Sequence, residues 1–118
     1  MRFLVVDDSA VDRRLLTSML EDLGHQADNC HTPEGALDKV TCGAYDAVFL
    51  DIVMPGQDGY KFLRSLRANP PTASQRVILY SNKKTPLEVN YGLQRAGANH
   101  YLTKPVTRES LTAVLTKI

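Results

Sequence analysis

The 118-residue sequence predicts a single α/β domain in which a five-stranded parallel sheet lies between two layers of helices. Short, almost continuously apolar segments alternate along the chain with segments whose apolar residues recur every three or four positions. Strands that alternate with helices run parallel, because each helix returns the chain to the starting edge of the sheet. The length is sufficient for one domain with its own core.

The composition of the strands predicts their order in the sheet. Phe3–Val6, Ala47–Leu50 and Val77–Tyr80 are nearly free of polar residues, as in strands covered by helices on both faces. Asn99–Thr103 is a weaker final strand. The second strand, His25–Cys30, is polar, which is typical of a sheet edge. We therefore expect the doubly wound, flavodoxin-like order 2-1-3-4-5 with five helices.

Apolar stripes and capping residues mark the helices. The stripes are formed by Val11, Leu15, Leu16, Met19, Leu20 and Leu23, by Tyr60, Leu63 and Leu66, and by Leu111, Val114, Leu115 and Ile118. Thr32-Pro33 and Thr85-Pro86 each place a cap residue before a proline at the first helical position. Glu88 stands where a capping box requires it.

Charge and hydropathy exclude several classes of protein. The net charge of +1 argues against sequence-independent binding of nucleic acid. Apolar stretches such as Phe3–Val6 are too short to span a bilayer, and Asp7 and Asp8 interrupt any signal peptide. We expect a soluble cytoplasmic protein. Cys30 and Cys42 match no metal-binding spacing and fall at opposite ends of the predicted domain, so we expect free thiols.

Polar residues follow the predicted strands at one edge of the sheet. Asp7 and Asp8 follow the first strand, Asp51 the third, Ser81 the fourth and Lys104 the last. Each also has a purely structural explanation, such as a helix cap, a turn or a solvated loop. Their joint placement favours a shared site, because open parallel sheets bind ligands beyond the carboxyl ends of their strands.

This combination of side chains suits phosphoryl chemistry. Three carboxylates at close range raise one another's pKa unless a cation joins them. Mg²⁺ is a suitable cation, since it takes one or two carboxylates and keeps several waters. A carboxylate can attack phosphorus and become an aspartyl phosphate, while a lysine offsets charge on the phosphoryl oxygens.

Five sequence blocks, in order, resemble the response-regulator receiver family, the CheY-like domains of two-component signalling. The blocks are Val5-Val6-Asp7-Asp8-Ser9, Leu50-Asp51-Ile52-Val53-Met54-Pro55-Gly56, Asp58-Gly59, Ser81 and Tyr101-Leu102-Thr103-Lys104-Pro105. The resemblance covers essentially the whole length. It implies that Asp51 accepts a phosphoryl group from a phosphohistidine of a sensor kinase, or from a small phosphodonor.

The resemblance also implies a metal site around the acceptor. Asp8, Asp51 and the backbone carbonyl of Val53 would bind Mg²⁺ directly, and Asp7 would assist through water. Lys104 would contact the phosphoryl group and precede a cis peptide bond.

The same resemblance implies a conformational switch. Ser81 would move towards the phosphoryl group, and Tyr101 would turn inward. These movements would repack the face formed by the fourth helix, the fifth strand and the fifth helix. The expected partners are a sensor kinase or phosphotransfer protein and an unidentified target protein, with the chain a monomer or weak dimer and without direct contact to nucleic acid or membrane. No output domain is expected in the chain.

Three positions depart from the family pattern or vary within it. Asn82 stands where the family usually has alanine or glycine, while Val53 and Lys83 occupy positions that tune phosphoryl lifetime in such proteins. Asn82 can restrict an attacking water or form its own hydrogen bond. Lys83 adds a cation, and Val53 cannot orient water. We expect these residues to slow hydrolysis.

Three other functions remain as alternatives. A Mg²⁺-dependent phosphohydrolase would need an acid where Val53 stands. An FMN carrier would need a phosphate-binding loop after the first strand. A receiver-fold binding module that is independent of phosphate is the third. The intact set of acids with Ser81 and Lys104 favours instead a switch that catalyses only its own phosphotransfer and dephosphorylation.

Overall fold

The computed structural model describes residues 1–43, 45–53, 59–82 and 85–118. In chain order, the elements are β1 (Arg2–Val6), α1 (Ala10–Asp22), β2 (Gln26–Cys30), α2 (Pro33–Cys42), β3 (Ala47–Asp51), α3 (Gly59–Ala68), β4 (Val77–Ser81), α4 (Pro86–Asn90), β5 (His100–Thr103) and α5 (Arg108–Leu115). A π-helical turn over Tyr91–Arg95 continues α4. The strands form one parallel sheet of order β2-β1-β3-β4-β5, which confirms the predicted fold.

The two faces of the sheet carry two separate cores. In β1, Phe3 and Val5 face one core, and Leu4 and Val6 face the other. Helices α1 and α5 contribute to the first core, while α2 and α3 contribute to the second. This alternation explains why the central strands are apolar at every position, since both sides of each strand are covered.

The polar second strand lies at the edge of the sheet, as predicted. Asp28 in β2 accepts hydrogen bonds from the Tyr45 hydroxyl at 2.7 Å and from Arg2 at 3.0 Å. Its carboxylate is therefore partnered although the strand is half-exposed. Cys30 ends this strand and is buried, whereas Cys42 is exposed at the end of α2, and both thiols are free as predicted.

Helices α2 and α4 begin at the capping residues predicted from the sequence. Thr32 caps α2 by accepting from the backbone N–H of Gly35, and Thr85 caps α4 by accepting from that of Glu88. Ser9 caps α1. Because α1 starts only two residues after Asp8, its first turn lies beside the carboxyl edge of the sheet. Within the described ranges, no helix is sufficiently long and apolar to cross a membrane.

Two details differ from the sequence-based expectation. In α1, Leu16 and Leu20 are buried, but Val11 is 70% and Leu15 is 55% exposed, so the predicted apolar stripe was too wide. A helix lying on a sheet buries mainly one line of residues, and Leu16 and Leu20 occupy that line. The second difference is the π-helical turn after α4, in which the Ala96 N–H donates to the Tyr91 carbonyl at 2.9 Å.

Candidate functional site

Three carboxylates meet at the carboxyl edge of the sheet. Asp7 and Asp8 directly follow β1, and Asp51 is the last residue of the neighbouring strand β3. One oxygen from each carboxylate lies within 4.8 Å of the others. Asp7 is completely buried, Asp51 is 5% exposed and Asp8 is exposed. The predicted grouping of these acids is therefore present, with one member open to solvent.

Lys104 reaches the same pocket from β5, two strands away from β3. Its ammonium nitrogen lies 2.9 Å from Asp12 Oδ2, 3.2 Å from Asp7 Oδ2 and 3.7 Å from Asp51 Oδ1. The backbone N–H of Lys104 donates to the Ser81 carbonyl at 2.8 Å, which holds the start of this segment against β4. The peptide bond between Lys104 and Pro105 is cis, as the resemblance implied.

Counting the described residues, the pocket carries more negative than positive charge. Burial and the charge of Asp7 raise the pKa of Asp51 from 3.8 to about 7, and Lys104 only partly opposes this rise. Burial would lower the pKa of Lys104, but the hydrogen bond that Lys104 donates to Asp12 and the charges of Asp51 and Asp7 raise it overall. One ammonium group therefore does not neutralise the acids. Carboxylate oxygens are the donors that hard divalent cations prefer, so Asp7, Asp8 and Asp51 fit such an ion.

Asp7 is held rigidly by donors on both of its oxygens. The Ser9 N–H donates to Oδ1 at 2.9 Å, while the Tyr80 hydroxyl donates to Oδ2 at 2.6 Å. Arg13 donates to the backbone carbonyl of Asp7 at 2.6 Å. Burial, followed by the hydrogen bond to Asp7, raises the pKa of Tyr80, so this hydroxyl keeps its proton and acts as a donor.

Asp12 and Tyr80 were missed in the sequence. Tyr80 was counted only as the last apolar residue of a strand, although a buried tyrosine hydroxyl requires a partner. Asp12 was not considered, because an acid in the first turn of a helix is usual. The Tyr80 hydroxyl could have been predicted to reach the site, because Tyr80 lies near the carboxyl end of a strand that ends at this edge of the sheet.

The predicted switch residues are in contact. Ser81 ends β4 and is 2% exposed, and its side chain shares a hydrogen bond with Tyr101 on the neighbouring strand. Burial raises the pKa of Tyr101 to about 12, although this hydrogen bond opposes the rise. A Cβ atom at Gly92 would lie 3.1 Å from the Tyr101 ring, so a glycine here lets the ring pack closely against the π-helical turn.

The structure describes only some of the residues that were predicted to tune phosphoryl lifetime. Val53 is 60% exposed, and its N–H donates to Asp51 Oδ1 at 3.4 Å. Asn82 follows Ser81 and is exposed. Lys83 and the segment 54–58 lie outside the described residues. The roles assigned to these positions therefore stay predictions.

The sequence matches the family model described as the response regulator receiver domain over residues 3–116. The chain belongs to this family. Receiver domains work with histidine kinases or phosphotransfer proteins, so the chain is a component of two-component signalling.

Curated relatives and solved structures agree with the family assignment. Protein PilH of Pseudomonas aeruginosa is 35% identical over 117 residues, covering 99% of this chain and 96% of PilH. A gliding motility regulatory protein of Myxococcus xanthus is 36% identical over 88% of this chain, which spans only 13% of that larger protein. The structure of the Vibrio cholerae chemotaxis protein CheY4 superposes with a TM-score of 0.89 at 25% identity, covering 99% of this chain and 97% of that one.

Proposed function

We propose that the chain is a phosphorylation-dependent switch whose acceptor is Asp51. The observation that carries the proposal is the pairing of a buried, poorly neutralised carboxylate with an ammonium group 3.7 Å away. Such a carboxylate is available as a nucleophile, since among the described residues only Lys104 and one long backbone hydrogen bond stabilise its charge. The phosphodonor is a phosphohistidine of a kinase or phosphotransfer protein, or a small acyl phosphate.

The reaction is a transfer between two nucleophiles. An oxygen of Asp51 attacks phosphorus, the phosphorus–nitrogen bond of the phosphohistidine breaks, and the histidine nitrogen leaves with the bonding electron pair. Lys104 offsets the charge on the transferred oxygens.

A magnesium ion completes the proposed site. Asp8, Asp51 and the backbone carbonyl of Val53 would hold Mg²⁺ directly, with Asp7 acting through water. When bound, the ion supplies the positive charge that the acids and the phosphoryl group lack. The buried and fully hydrogen-bonded Asp7 suits an indirect role, because its lone pairs are largely used by Ser9, Tyr80 and Lys104.

The output is a change in protein binding. A phosphoryl group adds about −1.5 to −2 charges at neutral pH. Shifting the ratio of active to inactive conformation from 1:99 to 99:1 requires a free-energy preference of about 5.5 kcal/mol for the active conformation. A few charge-assisted contacts of roughly 1.5–3 kcal/mol each supply this preference. Ser81 and Tyr101 transmit the change to the face formed by α4, β5 and α5. The chain acts on no external substrate in this proposal, works in the cytoplasm, and binds a target protein rather than nucleic acid or membrane.

Intact-mass measurement after incubation with Mg²⁺ and acetyl phosphate tests the proposal. We expect the wild-type protein to gain one phosphoryl group, and Asp51→Asn to gain none. Asp38→Asn, an exposed acid on α2, is the charge-matched control and should be modified normally. Equal modification of Asp51→Asn and wild type would place the acceptor elsewhere and overturn the proposal.

A further inference from the structure

Among the described residues, the shortest ionic contact of Lys104 is with a residue outside the acceptor site. Its ammonium nitrogen lies 2.9 Å from Asp12 Oδ2, closer than to either Asp7 or Asp51. The 3.7 Å separation from Asp51 exceeds hydrogen-bonding distance. Two of the three ammonium N–H groups are therefore engaged by Asp12 and Asp7, and Lys104 is held away from the acceptor.

The surroundings of this ion pair restrict Lys104 but leave room for it to move. Only 10% of the Lys104 side chain is exposed, and its ammonium group lies 4.8 Å from the centre of the Tyr80 ring. A cavity of about 60 Å³ borders Asp12, Tyr80, Lys104 and Pro105. Asp12 itself is 39% exposed, so its carboxylate can be solvated when it loses the lysine.

A phosphoryl group on Asp51 would compete with Asp12 for the same cation. The phosphoryl group would carry more negative charge than the Asp12 carboxylate. It would be bonded to Asp51, the carboxylate that is farthest from Lys104 in the unmodified protein. The Asp12 and Asp51 carboxylates belong to different elements, α1 and β3. We therefore expect Lys104 to lengthen its contact with Asp12 when it moves towards Asp51.

We propose that Asp12 is a positioning residue that retains the Lys104 ammonium group in the unmodified protein and releases it to the phosphoryl group on Asp51. This inference rests on the proposed function. Asp12 then opposes phosphorylation, and the first turn of α1 loses an ion pair whenever Asp51 is modified. The state of the acceptor is thereby transmitted to α1 as well as to the face formed by α4, β5 and α5.

The rate of phosphorylation by acetyl phosphate at saturating Mg²⁺ tests the effect of Asp12. We expect Asp12→Asn to be phosphorylated roughly two- to fivefold faster than wild type, the upper part of the range for a partly exposed ion pair. Asp12→Glu retains the carboxylate and should stay close to wild type. Asp22→Asn removes an equal charge from the other end of α1, where Asp22 pairs with Arg108, and should have no effect.

A double-mutant comparison distinguishes action through Lys104 from a general change in charge. In a Lys104→Ala background, Asp12→Asn should no longer change the rate, because the residue through which Asp12 acts is absent. An unchanged or slower rate for Asp12→Asn, or an equal acceleration in both backgrounds, overturns the inference.

The ¹⁵N resonance of the Lys104 ammonium group gives a second measurement that does not require phosphorylation. In the unmodified, metal-free protein, Asp12→Asn should shift this resonance and increase the mobility of the Lys104 side chain. In Asp12→Glu, both the resonance and the mobility should stay close to those of wild type. If the wild-type protein accepts no phosphoryl group, the proposed function fails, and with it the role of Asp12 in phosphorylation. If wild type is modified but Asp12→Asn leaves both the resonance and the rate unchanged, only this inference fails.

Discussion

Asp7 and Asp51 lie side by side but are stabilised very differently. Asp7 receives hydrogen bonds from the Ser9 N–H, the Tyr80 hydroxyl and the Lys104 ammonium group, which come from three separate parts of the chain. Within the described part of the chain, Asp51 accepts one backbone hydrogen bond, of 3.4 Å, and lies 3.7 Å from the Lys104 ammonium nitrogen. A well-solvated carboxylate is a poor nucleophile, so this asymmetry favours Asp51 as the acceptor and Asp7 as the fixed support.

The residue after Ser81 offers a test of phosphoryl lifetime. Asn82 is exposed beside the acceptor site, and we expect its amide to obstruct the approach of water. Asn82→Ala should shorten the lifetime of the phosphorylated protein by roughly fivefold, equivalent to about 1 kcal/mol in the barrier. Lys83→Ala should also shorten it, since position 83 tunes phosphoryl lifetime in similar proteins and this change removes the cation there.

Decay of the phosphorylated protein, followed by intact mass after removal of phosphodonor, measures these lifetimes. Asn90→Ala is the matched control, because Asn90 is exposed at the end of α4. Unchanged lifetimes in both Asn82→Ala and Lys83→Ala would contradict the role assigned to these two residues.

At the scale of elements, the start of α3 is packed directly against the end of β3. The Gly59 N–H donates to the Ile52 carbonyl at 2.7 Å. A Cβ atom at position 59 would overlap the backbone oxygen of Asp51 and lie 2.9 Å from the Ile52 Cα atom. Backbone atoms cannot yield as a flexible side chain does, so glycine is required for this close approach.

Gly59→Ala should therefore move α3 away from the acceptor strand. We expect a loss of about 1–3 kcal/mol in the free energy of unfolding, as for overpacking elsewhere, and slower phosphorylation of Asp51. Urea denaturation measures the first effect, and intact mass the second. In Gly35→Ala, the new methyl group would meet only side-chain atoms, at 3.1 and 3.2 Å, so this control in α2 should cost less. Equal stability of the two variants would refute the argument.

At the scale of the whole molecule, the site opposes folding when no metal is bound. The pKa of Asp51 is raised from 3.8 to about 7 by burial and by Asp7. Between these values the folded protein holds a proton that the unfolded chain has lost, so stability decreases as the pH rises from about 4 to 7. The shift corresponds to at most roughly 4 kcal/mol.

Removing the Asp51 charge should therefore stabilise the metal-free protein. In EDTA, Asp51→Asn should unfold at higher urea concentration than wild type at pH 8, and the difference should diminish towards pH 4. Mg²⁺ should reduce the difference at pH 8 by stabilising wild type, by about 2.7 kcal/mol at one hundred times its dissociation constant. Asp38→Asn provides the surface control. A pH-independent difference between Asp51→Asn and wild type would show that burial of this charge is not its cause.

The sequence alone predicted the sheet order and the grouping of four predicted site residues, and the structure confirms both. The polar character of His25–Cys30 predicted the edge strand, because an apolar pattern records whether a strand is covered on both faces. Asp7, Asp8, Asp51 and Lys104 were grouped correctly, because parallel strands place their carboxyl ends at one edge whatever their separation in sequence.

Only the tertiary structure decided which partners these residues use. The pairing of Lys104 with Asp12, the hydrogen bond from Tyr80 to Asp7 and the π-helical turn after α4 have no local sequence pattern. Likewise, Val11 belongs to an apolar stripe in sequence but is exposed in the fold. The physical reason is that hydropathy and strand position specify where the backbone goes, whereas side-chain contacts also depend on reach, rotamer and the spacing of elements that are distant in sequence.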